Sequence, residues 1–167
     1  PIWINSRGAI PRFDRGSIEI RVMDIQECPA ADLAIITLVI ETLKSLIHED
    51  FASLEDQKEV YMDALTGILE ETIKTGSGTE IFSMEYSSLF GINTFTTAQE
   101  LWKHIYTTLV AKGNTLLERW EPELSVIFTE GTLSERIIKA TNRSEAAIPK
   151  VYHQLSDCLA QNKMFIP

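Results

Sequence analysis

Cysteine and long apolar runs are both scarce in this sequence. Two cysteines, Cys28 and Cys158, occur among 167 residues, which is too few for a disulfide framework, and their separation fits no metal-ligand spacing. The longest charge-free, mostly apolar stretch runs from Leu33 to Ile40 and is too short to cross a bilayer. The sequence also shows no signal peptide. These absences favour a cytoplasmic protein that does not span a membrane.

Basic residues are also in short supply. Lysine and arginine total 15 against 24 aspartates and glutamates, which gives a net charge of −9. Non-specific nucleic-acid binding needs a basic surface that displaces counterions, and anionic membranes attract basic patches, so both partner classes are disfavoured. A homo-oligomer is compatible with the sequence.

The arginines are unevenly distributed along the chain. Four of the seven lie within the first 21 residues, at Arg7, Arg12, Arg15 and Arg21. The planar guanidinium group binds carboxylates and phosphates bidentately, so this segment is a candidate anion-binding surface. The alternative is that these arginines pair with the acidic helices that follow.

The sequence contains neither a zinc-binding motif nor a P-loop motif. The three histidines lie on separate predicted helices with no partner four residues away, which disfavours a zinc site. The glycine-rich segment "TGSGTE" lacks the Lys-Ser/Thr pair that completes a P-loop. Cys158 lies in an apolar helical stripe, which is more typical of a core residue than of a nucleophile.

The opening segment predicts two short strands. "PIWIN" is strand-like, and in Ser17–Met23 the apolar residues alternate with polar ones, which is the pattern of a half-buried strand. We expect strands at Ile2–Ile4 and Ser17–Met23 to lie together, joined by a loop, with the helix after Pro29 packed on their apolar face. The residues expected to be buried in this contact are Ile18, Ile20 and Val22, covered by Ile36, Ile40 and Leu43.

The rest of the sequence predicts about five helices. The first runs from Pro29 to about His48, because proline is tolerated in the first turn and an apolar stripe follows. The others begin at Ser53, at Thr97 with Glu100 as a capping box, at Thr132 with Glu135 as a second capping box, and after Ser144. The expected fold class is α+β, with residues 1–167 forming one unit.

Glu19 and Arg21 share one face of the predicted second strand. Side chains two residues apart on a strand are separated by about 6.6 Å, so this pair can engage different parts of one ligand. A carboxylate can bind a hard cation such as Mg²⁺, and a guanidinium can hold a carboxylate or a phosphate. The alternative is a solvated strand face with cross-strand charge pairing.

The segment "GSIEIRVMDIQECPAADLAI" resembles the C-terminal signature of the bacterial glutamate–cysteine ligase family 2 of carboxylate–amine ligases. It is also similar to the Arg-x-Glu-x-Arg-x-x-Asp strand of glutamine synthetases, except that Ser17 stands where the first arginine would be. "NSRGAIPRF", "EGTLSERIIKA" and "VYHQLSDCLAQNKMF" resemble the preceding loop and the closing helices of the family. The resemblance implies a glutamine synthetase-like fold, of which this chain is the C-terminal part.

The resemblance also implies roles for individual residues. Glu19 corresponds to the metal-binding glutamate and Arg21 to the arginine that binds the glutamate substrate. Because position 17 is a serine, the first arginine of the motif is absent, and Arg15 is the candidate that would replace it. Arg7 is a candidate phosphate or substrate contact. Arg21 and Asp24 are the candidate catalytic residues. Asp24 would hold an arginine or a metal-bound water, or else it simply ends the strand or caps the turn.

The implied activity is an ATP-dependent ligation. The side-chain carboxylate of glutamate is phosphorylated to an acyl phosphate, and an amine then displaces phosphate to give an amide. ATP and Mg²⁺ would be bound mostly by an N-terminal part outside this chain. The alternative is a non-catalytic helical interaction or regulatory domain that retains a ligase-like scaffold.

Overall fold

A computed structural model describes residues 8–167. The predicted strand at Ile2–Ile4 and the candidate residue Arg7 lie outside the described residues. Strands β1 (Ala9–Arg12) and β2 (Ser17–Ile20) form one sheet, and β3 (Glu80–Ile81) and β4 (Thr96–Thr97) form another. Between and after them the described chain has nine α-helices: α1 (Pro29–Ile47), α2 (Leu54–Glu59), α3 (Met62–Thr75), α4 (Met84–Ser88), α5 (Ala98–Ala111), α6 (Thr115–Glu118), α7 (Glu121–Glu130), α8 (Leu133–Thr141) and α9 (Ile148–Gln161).

The first two strands form an antiparallel hairpin. Ala9 pairs with Ile20 and Arg12 with Ser17, so the four residues 13–16 make the turn. Gly16 has φ +59°, a conformation that glycine adopts without steric cost. Residues 9–12 of the segment predicted as a loop before the second strand therefore form a strand. The second strand is also shorter than predicted, although the backbone N–H of Arg21 still donates to the carbonyl of Gly8.

The predicted burial of the hairpin is wrong. Ile18 is 55% exposed and Val22 is 57% exposed, while Ile20 is half-buried. Their expected cover is also open to solvent, because Ile36 is 40% exposed and Ile40 is 45% exposed. Helix α1 therefore does not pack its isoleucine stripe over the strands.

Helix α1 instead buries a stripe made mostly of small residues. Ala31, Ala34 and Leu38 are buried, followed by Thr42 and Ser45 on the same side. Small side chains allow neighbouring helices to approach closely, and this side of α1 contacts α5, α6 and α7. From hydrophobicity alone we expected the isoleucine side of α1 to be buried. Close packing between the helices instead favours burial of the side with smaller residues.

The main core lies where α1, α5, α6 and α7 meet. Ile105, Leu117 and Leu124 are each at most 2% exposed. Phe51 and Tyr86 contact the ring of Phe90 edge-on, with ring centroids 5.4 and 5.6 Å away. The buried members of this cluster are Ala34, Leu38, Ile81, Phe90, Leu101, Ile105, Leu109, Leu117 and Leu124.

The sequence predicted where helices begin more accurately than it predicted how many helices there are. Both predicted capping boxes are present, Thr97 with Glu100 and Thr132 with Glu135. Ser53 caps a helix as expected, but that helix ends at Glu59, and α3 begins separately because Val60 and Tyr61 are extended. The prediction of about five helices is low mainly because α2, α4 and α6 have only four to six residues each, too few to show a helical period. Among the helices described, none combines the length and apolar character needed to cross a membrane.

Candidate functional site

The hairpin brings two arginines to the carboxylate of Glu19. Arg12 Nη1 donates to Glu19 Oε2 at 2.9 Å, and Arg21 Nε donates to Oε1 at 2.8 Å. The strand register explains this arrangement: Ile10 is opposite Glu19, so Arg12 is its diagonal neighbour on the same face. Hydrogen bonds from Arg12 first, and then from Arg21, hold the pKa of Glu19 below its ordinary value.

Arg12 is the more fully engaged of the two arginines. Its Nε and Nη2 also donate to the two carboxylate oxygens of Asp14, each at 3.1 Å. These bonds, to Asp14 first and Glu19 second, raise the pKa of Arg12 above its ordinary value. The sequence placed Arg12 only among the four arginines of the opening segment, and cross-strand pairing makes it the residue that positions Glu19. The alternating pattern with a hairpin turn at Gly16 is the signal that could have identified it.

Arg21 has fewer partners than Arg12 among the described residues. Within residues 8–167 its side chain donates one hydrogen bond, from Nε, and its terminal nitrogens have no acceptor there. Arg15 is at the hairpin turn with its side chain 70% exposed, and its Nε lies 3.6 Å from Asp14 Oδ2. We call Arg12, Asp14, Arg15, Glu19 and Arg21 the hairpin cluster. Its three arginines and two carboxylates carry a net charge of +1, which suits an anionic ligand.

The observed geometry does not form a magnesium site by itself. Both oxygens of Glu19 accept hydrogen bonds from guanidinium groups, so a cation would have to displace one of them. Within residues 8–167 no group of three or more acidic, histidine or cysteine side chains is arranged to hold a metal ion. In this arrangement Glu19 orients arginines.

Asp24 lies just beyond the hairpin and is exposed. Its Oδ1 accepts a hydrogen bond of 2.8 Å from the backbone N–H of Ile25, and its carbonyl accepts one from the side chain of Gln26. These contacts match the structural alternative, in which Asp24 organises the turn after the strand. Asp24 is also one of the residues that line a groove.

The groove runs between the segment after β2 and the helices α1, α8 and α9. Its volume is about 880 Å³. Apolar residues form most of its walls, and the acidic residues Asp24, Glu27 and Asp32 are also among those that line it.

A buried ion pair lies beside the groove and was not predicted. The side chains of Glu27 and Arg136 are completely buried and hydrogen-bonded to each other. Arg136 also donates to the carbonyls of Gly131 and Phe165, while Glu27 Oε1 accepts from the N–H of Phe165. These bonds join three segments: the approach to α1, the start of α8 and the C-terminal residues. Neither residue belongs to a motif, so the sequence offered no signal for the pair.

The two cysteines are free and unsuited to act as nucleophiles. Burial raises the pKa of the Cys28 thiol above its ordinary value and has the same effect on Cys158. A thiol with a raised pKa carries little of the reactive thiolate at neutral pH. The hairpin cluster and the groove therefore remain the candidate sites.

Comparison with known proteins gives one informative relative. A protein of Archaeoglobus fulgidus, described as uncharacterized, is 29% identical over 165 residues. The match covers 98% of this chain and 38% of the relative, so the chain spans well under half of that protein's length. No protein-family model matches the chain, and no solved structure matches it.

Proposed function

We propose that this chain is part of an ATP-dependent carboxylate–amine ligase that forms an amide on the side-chain carboxylate of glutamate through an acyl phosphate. The observation that carries the proposal is the hairpin cluster. Glu19 in β2 and Arg21 just after the strand are hydrogen-bonded to each other, in the order of the motif that the sequence resembles, and Arg12 lies beside them. The glutamine synthetase-like fold and the family assignment are part of this proposal.

The hairpin cluster provides charge and orientation for an anionic substrate. The terminal nitrogens of Arg21, which have no acceptor within residues 8–167, can bind a substrate carboxylate with two parallel hydrogen bonds. The 2.8 Å bond from its Nε to Glu19 fixes the guanidinium plane before the substrate arrives. Arg15, at the exposed turn, adds positive charge where anionic groups would converge.

ATP would supply the phosphoryl group, and Mg²⁺ would offset the charge of its phosphates. In this proposal, residues outside 8–167 bind the nucleotide and provide most of the metal ligands. The metal-ligand role of Glu19 remains a prediction that requires one arginine to move away.

A second candidate function has its own supporting observation. The apolar side chains of the hairpin and of α1 are open to solvent, with Phe13 91% exposed and Ile18 55% exposed. Exposed apolar surface of this kind is typical of a region that binds another protein segment. A non-catalytic interaction domain on a ligase-like scaffold would use that surface and would not need the terminal nitrogens of Arg21.

Steady-state kinetics of the full-length natural protein test the proposal. We expect Arg21→Ala to raise the KM for the carboxylate substrate by about ten- to a hundredfold, because a charge-assisted hydrogen bond is lost. Arg21→Lys should restore little, because lysine lacks the planar fork. Arg143→Ala, at an exposed arginine outside the cluster, is the matched control.

The outcome separates the two candidate functions. Loss of carboxylate use in Arg21→Ala with a normal response of the control supports the ligase. Wild-type kinetics in both arginine variants, with the fold intact, would contradict it. A full-length protein that has no ATP-dependent activity but binds a partner through the hairpin would favour the interaction domain. Residues 1–167 alone are expected not to hydrolyse ATP with glutamate and amines.

A further inference from the structure

Arg12 forms a bridge between two carboxylates of the hairpin cluster. Its Nε and Nη2 donate to the two oxygens of Asp14, each at 3.1 Å, and its Nη1 donates to Glu19 Oε2 at 2.9 Å. The paired bonds to Asp14 are the arrangement in which a guanidinium and a carboxylate fix each other's planes. All three nitrogens of Arg12 therefore donate within the cluster.

The backbone at Arg12 is held as well. Arg12 is the last residue of β1 and pairs with Ser17, and its carbonyl accepts from the N–H of Arg15 across the turn at 3.0 Å. Gly16 completes the turn at φ +59°. Strand pairing and turn together fix this part of the chain, so the Arg12 side chain extends from a rigid element.

The carboxylate of Glu19 accepts from one arginine on each oxygen. Arg12 bonds Oε2, and Arg21 Nε donates to Oε1 at 2.8 Å. The last side-chain torsion of a glutamate is broad, so a carboxylate that is bonded at one oxygen can still rotate. A second donor on the other oxygen restricts that rotation. The bond from Arg12 therefore allows Glu19 to hold Arg21 in one orientation.

Arg12 orients the cluster without adding net charge to it. Asp14 neutralises Arg12, so the other three members, Arg15, Glu19 and Arg21, carry the same net charge of +1 as the whole cluster. Long-range attraction of an anion depends on that net charge. The orienting role of Arg12 can therefore be tested separately from its charge.

We propose that Arg12 is a positioning residue for the binding of the substrate carboxylate by Arg21. Asp14 fixes Arg12, Arg12 fixes Glu19, and Glu19 holds the guanidinium plane of Arg21 before the carboxylate binds. The inference rests on the proposed function, because it concerns the carboxylate substrate of that reaction. It gives Arg12 and Asp14 a part in substrate binding that is exerted through Glu19.

A charge-neutral double variant tests this role. Arg12→Ala/Asp14→Ala removes the bridge and leaves the cluster at the same net charge. In steady-state kinetics of the full-length natural protein, we expect the KM for L-glutamate to rise about three- to tenfold, which is typical of the coupling between residues in one hydrogen-bond network. The kcat should stay within about twofold, since the reacting groups are unchanged. Glu71→Ala/Lys74→Ala removes an exposed ion pair of α3 and is the matched control, with no expected change in either constant.

Arg12→Lys separates the charge of Arg12 from its planar fork. Lysine keeps the charge but cannot bond both carboxylates as the guanidinium does, so this variant should show a raised KM as well. A wild-type KM in Arg12→Lys would show that charge alone is sufficient, and would overturn the inference.

A measurement on the chain 1–167 needs no substrate. The Nε–H of Arg21 is protected from solvent exchange by its bond to Glu19, and NMR can follow that exchange. We expect exchange about three- to tenfold faster in Arg12→Ala/Asp14→Ala, because it proceeds through the state in which the bond is open. The backbone N–H of Arg21, which donates to the Gly8 carbonyl, should stay protected and thereby show that the hairpin is folded.

The outcomes distinguish this inference from the proposed function. If Arg21→Ala raises the KM and the double variant does not, the inference is overturned while the proposed function stands. If Arg21→Ala keeps the wild-type KM, the proposed function is contradicted, and the inference with it. Loss of protection at both N–H groups of Arg21 in the double variant would assign Arg12 to folding of the hairpin, and would also overturn the positioning role.

Discussion

The hairpin of β1 and β2 and the rest of the described chain from Glu27 onward, which we call the helical body, both contain arginine–carboxylate pairs. The pair in the hairpin is exposed to solvent, and the pair in the helical body is buried. In the hairpin the side chains of Glu19 and Arg21 are 36% and 38% exposed, whereas those of Glu27 and Arg136 are 0% exposed. A surface pair contributes little to stability and can exchange one partner for a ligand. A buried pair cannot lose one member without leaving a charge uncompensated. The same chemistry therefore serves binding in one region and folding in the other.

The apolar residues follow the same division. The hairpin leaves Phe13 and Ile18 exposed, whereas the body buries Ile105 and Leu117 almost completely. A two-stranded sheet alone is at best marginally stable in water. We therefore expect changes in the hairpin to alter local order and ligand binding, and changes in the body to alter global stability.

The largest expected effect comes from breaking the buried pair. Arg136→Met should lower the free energy of unfolding by about 3–5 kcal/mol, because Glu27 would stay buried without its cation and the Gly131 and Phe165 carbonyls would lose a donor. Urea denaturation followed by circular dichroism measures this change. The double variant Glu27→Leu/Arg136→Met should recover part of the loss. A single-variant loss below about 1 kcal/mol would contradict a structural role for the pair.

A smaller effect is expected at Glu135, which joins two turns within the body. Besides completing the capping box with Thr132, its Oε1 accepts from both the N–H and the hydroxyl of Ser77, at 3.0 and 2.7 Å. Glu135→Ala should therefore cost about 2–3 kcal/mol, whereas Glu100→Ala, in the other capping box, should cost about 1 kcal/mol. Equal losses in urea denaturation would mean that the bonds to Ser77 contribute nothing.

The same residue makes stability depend on pH. Burial alone would raise the pKa of Glu135, but hydrogen bonds from Ser77 and Thr132 lower it further than burial raises it, so the net pKa lies below the ordinary value. A carboxylate with a depressed folded-state pKa stabilises the protein above its unfolded pKa of about 4.3, and this contribution is lost as the pH falls through the folded value. Glu135→Gln should reduce that part of the acid sensitivity, measured as unfolding free energy against pH.

Local signals in the sequence predicted local features of this fold well. Proline at the start of α1, Ser53, and the two Thr–Glu capping boxes all mark helix starts that the structure confirms. Each of these features acts within one turn of helix, so neighbouring residues determine it. The α+β character and the proximity of Glu19 and Arg21 were predictable for the same reason.

Tertiary packing produced what the sequence did not predict. Which side of α1 is buried depends on how closely other helices approach, and the small side of Ala31 and Ala34 was selected over the isoleucine stripe. The contact of Arg12 with Glu19 depends on strand register. Glu27 and Arg136 are 109 positions apart, so no local pattern could connect them.

A glycine-to-alanine substitution should lower stability in the hairpin and raise it in the helical body. Gly16→Ala places a side chain at φ +59°, so we expect it to destabilise the hairpin by about 1 kcal/mol. Gly67→Ala lies inside α3 with open space around it, so it should stabilise that helix by about 0.5–1 kcal/mol. Amide exchange at Arg21, whose N–H bonds Gly8, reports on the hairpin, and thermal unfolding reports on the body. Effects of the same sign would remove the distinction between the regions.

The smallest expected effect concerns the titration of Glu19. Because Arg12 and then Arg21 lower its pKa, Arg12→Ala should raise that pKa toward the ordinary value by more than Arg21→Ala does. The sign for stability follows from this lowered pKa. The stability that the ion pairs contribute is fully present above the unfolded-state pKa of about 4.3, and it is lost as the pH falls through the depressed folded-state value. Since the cluster is exposed, global unfolding should hardly change, and NMR titration of the Glu19 carboxyl carbon is the suitable measurement. Asp14 offers an internal comparison, because Arg12 also depresses its pKa while Arg21 does not contact it. A larger rise of the Glu19 pKa in Arg21→Ala than in Arg12→Ala would mean that Arg21, and not Arg12, is the main partner of this carboxylate. Arg21 would then be less able to bind a substrate than we propose.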